Sequence, residues 1–140
     1  MTRVHYEEFL RAVPMFSACR TRELTHIAQF VERVEVKEGD ILVKEGTRTR
    51  EFFIVMEGEA QVQRRGQTLA QLGSGSYFGE LALLDPAPRN ATVTMTTNGQ
   101  VLVLTQRDFF ALIRDVPTLV RALLTGLAKR VHDLDPSPVR

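Results

Sequence analysis

Between Val34 and Thr105 the apolar residues of this chain recur with a period near two, in short runs broken by turn residues. A period of two sends alternate side chains to opposite faces of a strand, so the middle of the chain has to form sheets with at least one buried face. Val34 and Val36 alternate with Glu35 and Lys37, and Val93 and Met95 alternate with threonines. Ile41-Leu42-Val43, Phe52-Phe53-Ile54-Val55-Met56 and Val101-Leu102-Val103-Leu104 are continuous β-branched and aromatic runs, with Ala60, Val62, Leu69 and Leu72 between them. Gly39-Asp40, Gly46, Gly58, Arg65-Gly66, Gly73-Ser74-Gly75 and Asn98-Gly99 punctuate the intervals. Many short strands at this spacing make a sandwich or barrel of the jelly-roll kind. Most of the glycines are turn residues, and Arg64 and Arg65 in the Gly-ended hairpin read as a solvated turn.

On both sides of this region the period is helical. Tyr6, Phe9, Leu10 and Val13 form one apolar set that ends near Pro14, and Leu24, Ile27, Ala28 and Val31 form another, with Thr21 as its expected cap. After Thr105, the pair Thr105 and Asp108 resembles a capping box, and Phe109, Leu112 and Ile113 make one face. Pro117 is placed to start a further helix, which carries the stripe Val120, Leu123, Leu124, Leu127 and Val131 and ends at Asp135-Pro136-Ser137-Pro138. A stripe of that length is expected to pack within the chain, which makes the chain a monomer or a weak dimer.

The composition excludes several classes of function. A length of 140 residues suits one domain with a real core, and 44% apolar with 25% charged residues is ordinary for a globular protein. A net charge of +1 argues against binding through a broad basic surface. Cys19 is the single cysteine, which rules out an intrachain disulfide and fits a small semi-buried filler in a reducing, cytoplasmic setting. No apolar run approaches the ~20 residues of a membrane span, and the N-terminal residues Arg3, His5, Glu7 and Glu8 do not read as a signal peptide. The three histidines, His5, His26 and His132, fall in the helical ends, so a metal-dependent enzyme of the cupin type would lack its barrel ligands, and no nucleophile triad is suggested. The expectation is a protein without catalysis, catalytic cofactor or metal.

Residues 78–93 read Phe-Gly-Glu-Leu-Ala-Leu-Leu-Asp-Pro-Ala-Pro-Arg-Asn-Ala-Thr-Val. A glycine and an acid open a one-turn apolar helix, and an arginine follows on the far side of two prolines. The N–H groups of Gly79, Glu80, Leu81 and Ala82 would point at whatever sits over the helix start, where the dipole favours an anion. Arg89 adds a planar, permanently charged fork, and Glu80 can accept hydrogen bonds from hydroxyls. One phosphate with a hydroxyl beside it is the chemistry of a cyclic nucleotide.

The segment resembles the phosphate-binding cassette of the cyclic nucleotide-binding domain family, which includes regulatory subunits of cyclic AMP-dependent protein kinase, catabolite activator proteins and cyclic nucleotide-gated channels. Phe78, Gly79, Glu80, Leu81, Ala82, Leu83, Pro88, Arg89, Ala91, Thr92 and Val93 fit the family pattern at its spacing, and the likeness runs from about Phe9 to Val131. The resemblance implies a mainly β fold with flanking helices: an eight-stranded jelly-roll β-barrel at residues 34–105, N-terminal helices within 1–33 and two C-terminal helices within 106–134, all in one domain. It implies phosphate contacts from Gly79, Glu80, Leu81, Ala82, Arg89, Asn90 and Ala91, and a ribose contact from Glu80. It implies a hydrophobic coupling role for Leu83, and a base lid from Arg130 or Leu127, with Thr125 and Lys129 as alternatives.

Asn90 departs from the alanine, serine or threonine common in the family, which leaves the base open. Cyclic AMP is expected ahead of cyclic GMP. The effector is an unidentified protein partner. Only ten residues follow Arg130, too few for a recognition helix, so direct DNA contact is not expected, and a chain beginning at Met1 suits a stand-alone module. The alternatives are an interaction domain that binds no ligand, and the excised sensor of a transcription regulator, channel or multidomain enzyme.

Overall fold

The computed structural model describes residues 3–85 and 87–134, with the side chains of residues 3–5 and 130 left aside. The chain divides into two compact units, Gln29–Phe109 and the pair of segments Met1–Ala28 and Phe110–Arg140.

The first unit holds the strands β1 (Glu32–Val36), β2 (Ile41–Val43), β3 (Glu51–Glu57), β4 (Ala60–Arg64), β5 (Gln67–Leu72), β6 (Tyr77–Phe78), β7 (Thr92–Met95) and β8 (Gly99–Thr105). They form two four-stranded antiparallel sheets, ordered β1-β8-β3-β6 and β2-β7-β4-β5. The eight strands match the expected roll, but they close as two sheets and not as one hydrogen-bonded barrel. Two of the three continuous apolar runs become the central strands β3 and β8 of the first sheet, where both faces are buried, whereas Ile41–Val43 is the edge strand β2 of the second sheet and Ile41 is exposed. In β3 every residue from Phe52 to Met56 is buried, and in β8 so are Val101, Leu102, Val103 and Leu104. Their register sets Phe53 opposite Val103 and Ile54 opposite Leu102.

Alternation turns one set of these side chains inward. Val36, Val43, Phe53, Ala60, Val93, Met95, Val101 and Val103 pack as one cluster drawn from both sheets. At the far end of β3 the chain turns at Gly58, and a Cβ on Gly58 would lie 2.7 Å from the Asn98 carbonyl oxygen, while one on Gly99 would run into the Glu57 carbonyl. Two glycines let these backbones cross at a distance no side chain would allow.

The second unit contains α1 (Arg3–Arg11), α2 (Pro14–Ser17), α3 (Thr21–Ala28) and α5 (Pro117–Leu134). The helix α4 (Gln106–Asp115) begins in the first unit and ends in the second. Pro14 starts α2 as well as ending the first apolar set, as its fixed φ and missing N–H permit at a first helical position. Thr21 is the first residue of α3 and not its cap: Glu23 closes that end by accepting the Arg20 N–H at 2.8 Å, and Thr21 Oγ1 accepts from Arg11 at 3.1 Å. Leu10, Val13, Phe16, Leu24, Ile27, Leu112 and Leu119 are fully buried.

Two polar bonds tie α3 to the α4–α5 junction. His26 Nε2 lies 3.1 Å from Asp115 Oδ2, and the Thr118 hydroxyl donates to Glu23 Oε2 at 2.9 Å. Cys19 is buried, and burial followed by the charge of Glu23 pushes its thiol up to about 11. The stripe on α5 departs from expectation: Val120, Leu124 and Val131 are exposed, and the buried residues at that end are Val116 and Leu119. The expected stop at residues 135–138 lies outside the described residues. Among the described residues no helix is long and apolar enough to cross a membrane.

Candidate functional site

The segment 78–93 leaves the first sheet at β6 and enters the second at β7. Phe78 is fixed by pairing with Phe53, whose ring it stacks on with centroids 5.0 Å apart. Gly79 follows with φ +90°, and a Cβ there would lie 2.6 Å from the Glu51 carbonyl oxygen and 2.8 Å from Arg89 Nη1. Both the backbone angle and the space require glycine.

The two groups that crowd Gly79 are joined to each other. Arg89 Nη2 donates to the Glu51 carbonyl at 2.7 Å, and Arg89 Nε donates to Thr49 Oγ1 at 3.3 Å. Arg89 is 9% exposed, the one buried charged residue among those described. Burial lowers its pKa from the ordinary guanidinium value and the Glu51 carboxylate opposes that shift. A guanidinium keeps its proton through such a change, so a fixed positive charge sits in a partly dry place beside Gly79.

The stretch around Arg89 is held from two sides. From the loop before β3, the Gly46 N–H donates to Arg89 O at 2.8 Å, the Arg89 N–H to Thr47 O at 2.7 Å, and the Glu45 N–H to Thr92 Oγ1 at 2.9 Å. From the β4–β5 hairpin, Arg64 Nε donates to the Asn90 carbonyl at 2.8 Å, and the Arg65 N–H donates to Glu45 Oε1 at 3.1 Å. Arg64 and Arg65 are exposed, as a solvated turn would be, but both are tied to the segments flanking Arg89. Asn90 is exposed and Ala91 is buried.

Glu80 stands at the head of a three-residue 3-10 turn, Leu81–Leu83, with φ −60° and ψ −36°, and its side chain does not cap that turn. The turn departs from expectation at Ala82. Its bonds run from each N–H to the third residue before it, so the Ala82 N–H is committed to Gly79 O at 3.1 Å and not directed outward. Leu81 is 39% exposed, whereas Leu83 is fully buried, so only Leu83 is core.

Behind the turn, the Leu83 carbonyl accepts a hydrogen bond from Gln106 Nε2 at 3.0 Å, and the Gln106 N–H donates to Arg50 O at 3.0 Å. Gly79, Glu80, Leu81, Ala82, Leu83, Arg89, Asn90 and Ala91 thus belong to one segment of the first unit. The candidate lid residues Leu127, Thr125, Lys129 and Arg130 lie on α5, in the second unit: Leu127 is half-buried, Thr125 and Lys129 are exposed, and the Arg130 side chain lies outside the described residues.

Three participants have no sequence signal of their own. Glu51 contributes a backbone carbonyl, Thr49 a hydroxyl in a loop, and Gln106 a side chain at the start of a helix, so residue type alone does not single them out. Among the described residues, no group of three or more His, Cys, Asp or Glu could hold a metal ion.

Known proteins share this arrangement of sequence. The chain is 38% identical over 120 residues to a cAMP-dependent protein kinase regulatory subunit of Mycosarcoma maydis, an alignment covering 79% of this chain and 23% of that protein. The chain therefore spans about a quarter of the length of that curated relative. The solved N-terminal domain of a transcriptional regulator from Streptomyces coelicolor A3(2) superposes with a TM-score of 0.83 at 30% identity, covering 92% of this chain and 96% of that one. The structure of cAMP-bound PfPKA-R superposes with a TM-score of 0.71 at 29% identity, covering 88% of this chain and 46% of that one. The family model described as "Cyclic nucleotide-binding domain" matches residues 33–116, which takes in both sheets, the cassette and α4. With more than half of its length matched, the chain belongs to the cyclic nucleotide-binding domain family.

Proposed function

We propose that the chain is a non-catalytic sensor of a cyclic mononucleotide, cyclic AMP ahead of cyclic GMP, which passes the presence of ligand to a protein effector in the cytoplasm. The observation that carries this reading is the buried Arg89 guanidinium packed against Gly79 and anchored on the Glu51 carbonyl. Such a charge, held in place before ligand arrives, suits one phosphate. The relatives support cyclic AMP: the M. maydis protein is named as cAMP-dependent, and PfPKA-R was solved with cAMP bound.

In this reading Arg89 and the N–H groups of Gly79, Glu80, Leu81, Asn90 and Ala91 receive the phosphate, and the Glu80 carboxylate accepts from the ribose 2′-hydroxyl. The Ala82 N–H joins them only by leaving Gly79 O. Leu127 or Arg130 covers the base. Leu83 shifts as the turn tightens and moves the helices after Thr105, provided that ligand prefers the tightened state. The chain contacts no DNA directly and needs no catalytic cofactor.

Calorimetric titration with cyclic AMP and cyclic GMP, on protein stripped of carried-over nucleotide, tests this reading. Saturable binding to cyclic AMP that is about tenfold to a hundredfold weaker in Arg89→Lys supports it, since Lys keeps the charge but loses the fork. Folded protein that binds neither nucleotide overturns it.

A further inference from the structure

We propose that Arg64 is a positioning residue for the phosphate-binding arm: from the β4–β5 hairpin, it sets where Arg89 stands. The proposal rests on the cyclic nucleotide reading above. The last pair that β4 makes with β7 is Gln63 with Thr92. Arg89, Asn90 and Ala91 lie upstream of β7, outside its ladder. Arg64, the next residue of β4, takes over with its side chain, and its Nε bonds the Asn90 carbonyl at 2.8 Å.

The hold closes on itself. Glu45 bonds Thr92 Oγ1 through its N–H, and through its carboxylate it accepts the N–H of Arg65, the neighbour of Arg64. Gly46 and Thr47 bond the backbone of Arg89 between these points. The arm is therefore gripped by the 45–47 loop on one side and by Arg64 on the other, and Glu45 joins the two.

The hairpin places Arg64 at the end of β4 and Arg65 in the loop beside it. Arg65 has φ +52°, the left-handed region that a non-glycine residue disfavours, and it is the one non-glycine residue with positive φ among those described. Arg65 and Gly66, the latter at φ +80°, are the two loop residues between the paired Arg64 and Gln67, and a two-residue hairpin turn of this kind requires positive φ at both.

Three variants of the whole chain test the idea, titrated with cyclic AMP and with adenosine, which lacks the phosphate. Arg64→Ala should weaken cyclic AMP binding about two- to tenfold, the range of one hydrogen bond, and leave adenosine binding unchanged. Arg64→Gln should recover part of the loss, because its amide nitrogen stands as many bonds from the backbone as Nε does. Arg64→Lys restoring affinity while Arg64→Gln behaves like Arg64→Ala would mean that charge near the phosphate matters and positioning does not, and would overturn the proposal. Unaltered cyclic AMP affinity in Arg64→Ala would overturn it as well.

Amide exchange of the ligand-free chain gives a separate readout. The Arg89 amide should exchange faster in Arg64→Ala while global unfolding is unchanged, and equal exchange overturns the proposal. Wild-type protein that binds no cyclic AMP would defeat the functional reading, and the exchange experiment would still decide the role of Arg64.

Discussion

The side chain of Gln106, the first residue of α4, donates to the carbonyl of Leu83, the last residue of the cassette turn, at 3.0 Å. The backbone N–H of Gln106 is spent on Arg50 O, and Arg50 immediately precedes Glu51, the residue whose carbonyl anchors Arg89. The turn and the start of α4 thus meet through Gln106, and α4 and the arginine anchor through the consecutive carbonyls of Arg50 and Glu51 at the start of β3.

Gln106→Leu keeps the bulk at this junction and removes the donor. The Leu83 carbonyl then loses its partner in a partly buried place, and stability should fall by about 1 kcal/mol in urea unfolding. If the bond links ligand to helix, cyclic AMP should still bind, but the change it causes in amide exchange along α4 should shrink. A variant whose α4 responds to ligand as the wild type does would show that the bond is only structural.

Gly79→Ala should be strongly destabilising. The added Cβ meets the Glu51 carbonyl oxygen at 2.6 Å and Arg89 Nη1 at 2.8 Å, at a φ of +90° that alanine disfavours. The backbone term alone is about 1–3 kcal/mol. The arginine has to move as well, so cyclic AMP affinity should drop even at temperatures where the variant is folded. Thermal unfolding paired with titration checks both effects, and a wild-type melting temperature would contradict the packing described.

Acid should loosen the helical unit through Glu23. Its carboxyl lies below the usual carboxylate value, chiefly because it accepts the Arg20 N–H, with smaller help from the Thr118 hydroxyl and the charges of Arg20 and Arg22, and with burial acting in opposition. A carboxyl depressed in the folded state contributes stability above its unfolded pKa of about 4.3, and loses it as pH falls through the folded value. Glu23→Gln should therefore flatten part of the decline in stability on acidification, measured by urea unfolding at successive pH values. An identical pH profile would remove Glu23 from the account.

Local chemistry made much of this protein legible without coordinates. Period two from Val34 onward gives the strands, because alternation forces one face of each sheet inward, and the unbroken apolar runs at Phe52 and Val101 become the doubly buried central pair. Pro117 begins α5 because its ring is suited to a first turn, and the Thr105 hydroxyl accepts the Asp108 N–H at 3.2 Å as a cap. The run from Phe78 to Val93 carries its own chemistry: a glycine, an acid and an arginine in register.

What tertiary structure decided are the contacts whose partners have no chemical mark in the sequence. Arg89 anchors on a backbone carbonyl of Glu51, and any residue type presents a carbonyl. Arg64 reads as part of a solvated turn until β4 and β7 set it beside Asn90. Leu81 and Leu83 look alike in sequence, yet the 3-10 turn exposes the first and buries the second. On α5 the stripe at Val120, Leu124 and Val131 has helical spacing, but spacing fixes only that these residues share a face, and burial depends on what that face meets. The chain itself determines which elements form and which residues carry charge or hydrogen-bonding groups. Folding determines which of those groups meet, since that depends on long-range pairing of strands far apart in sequence.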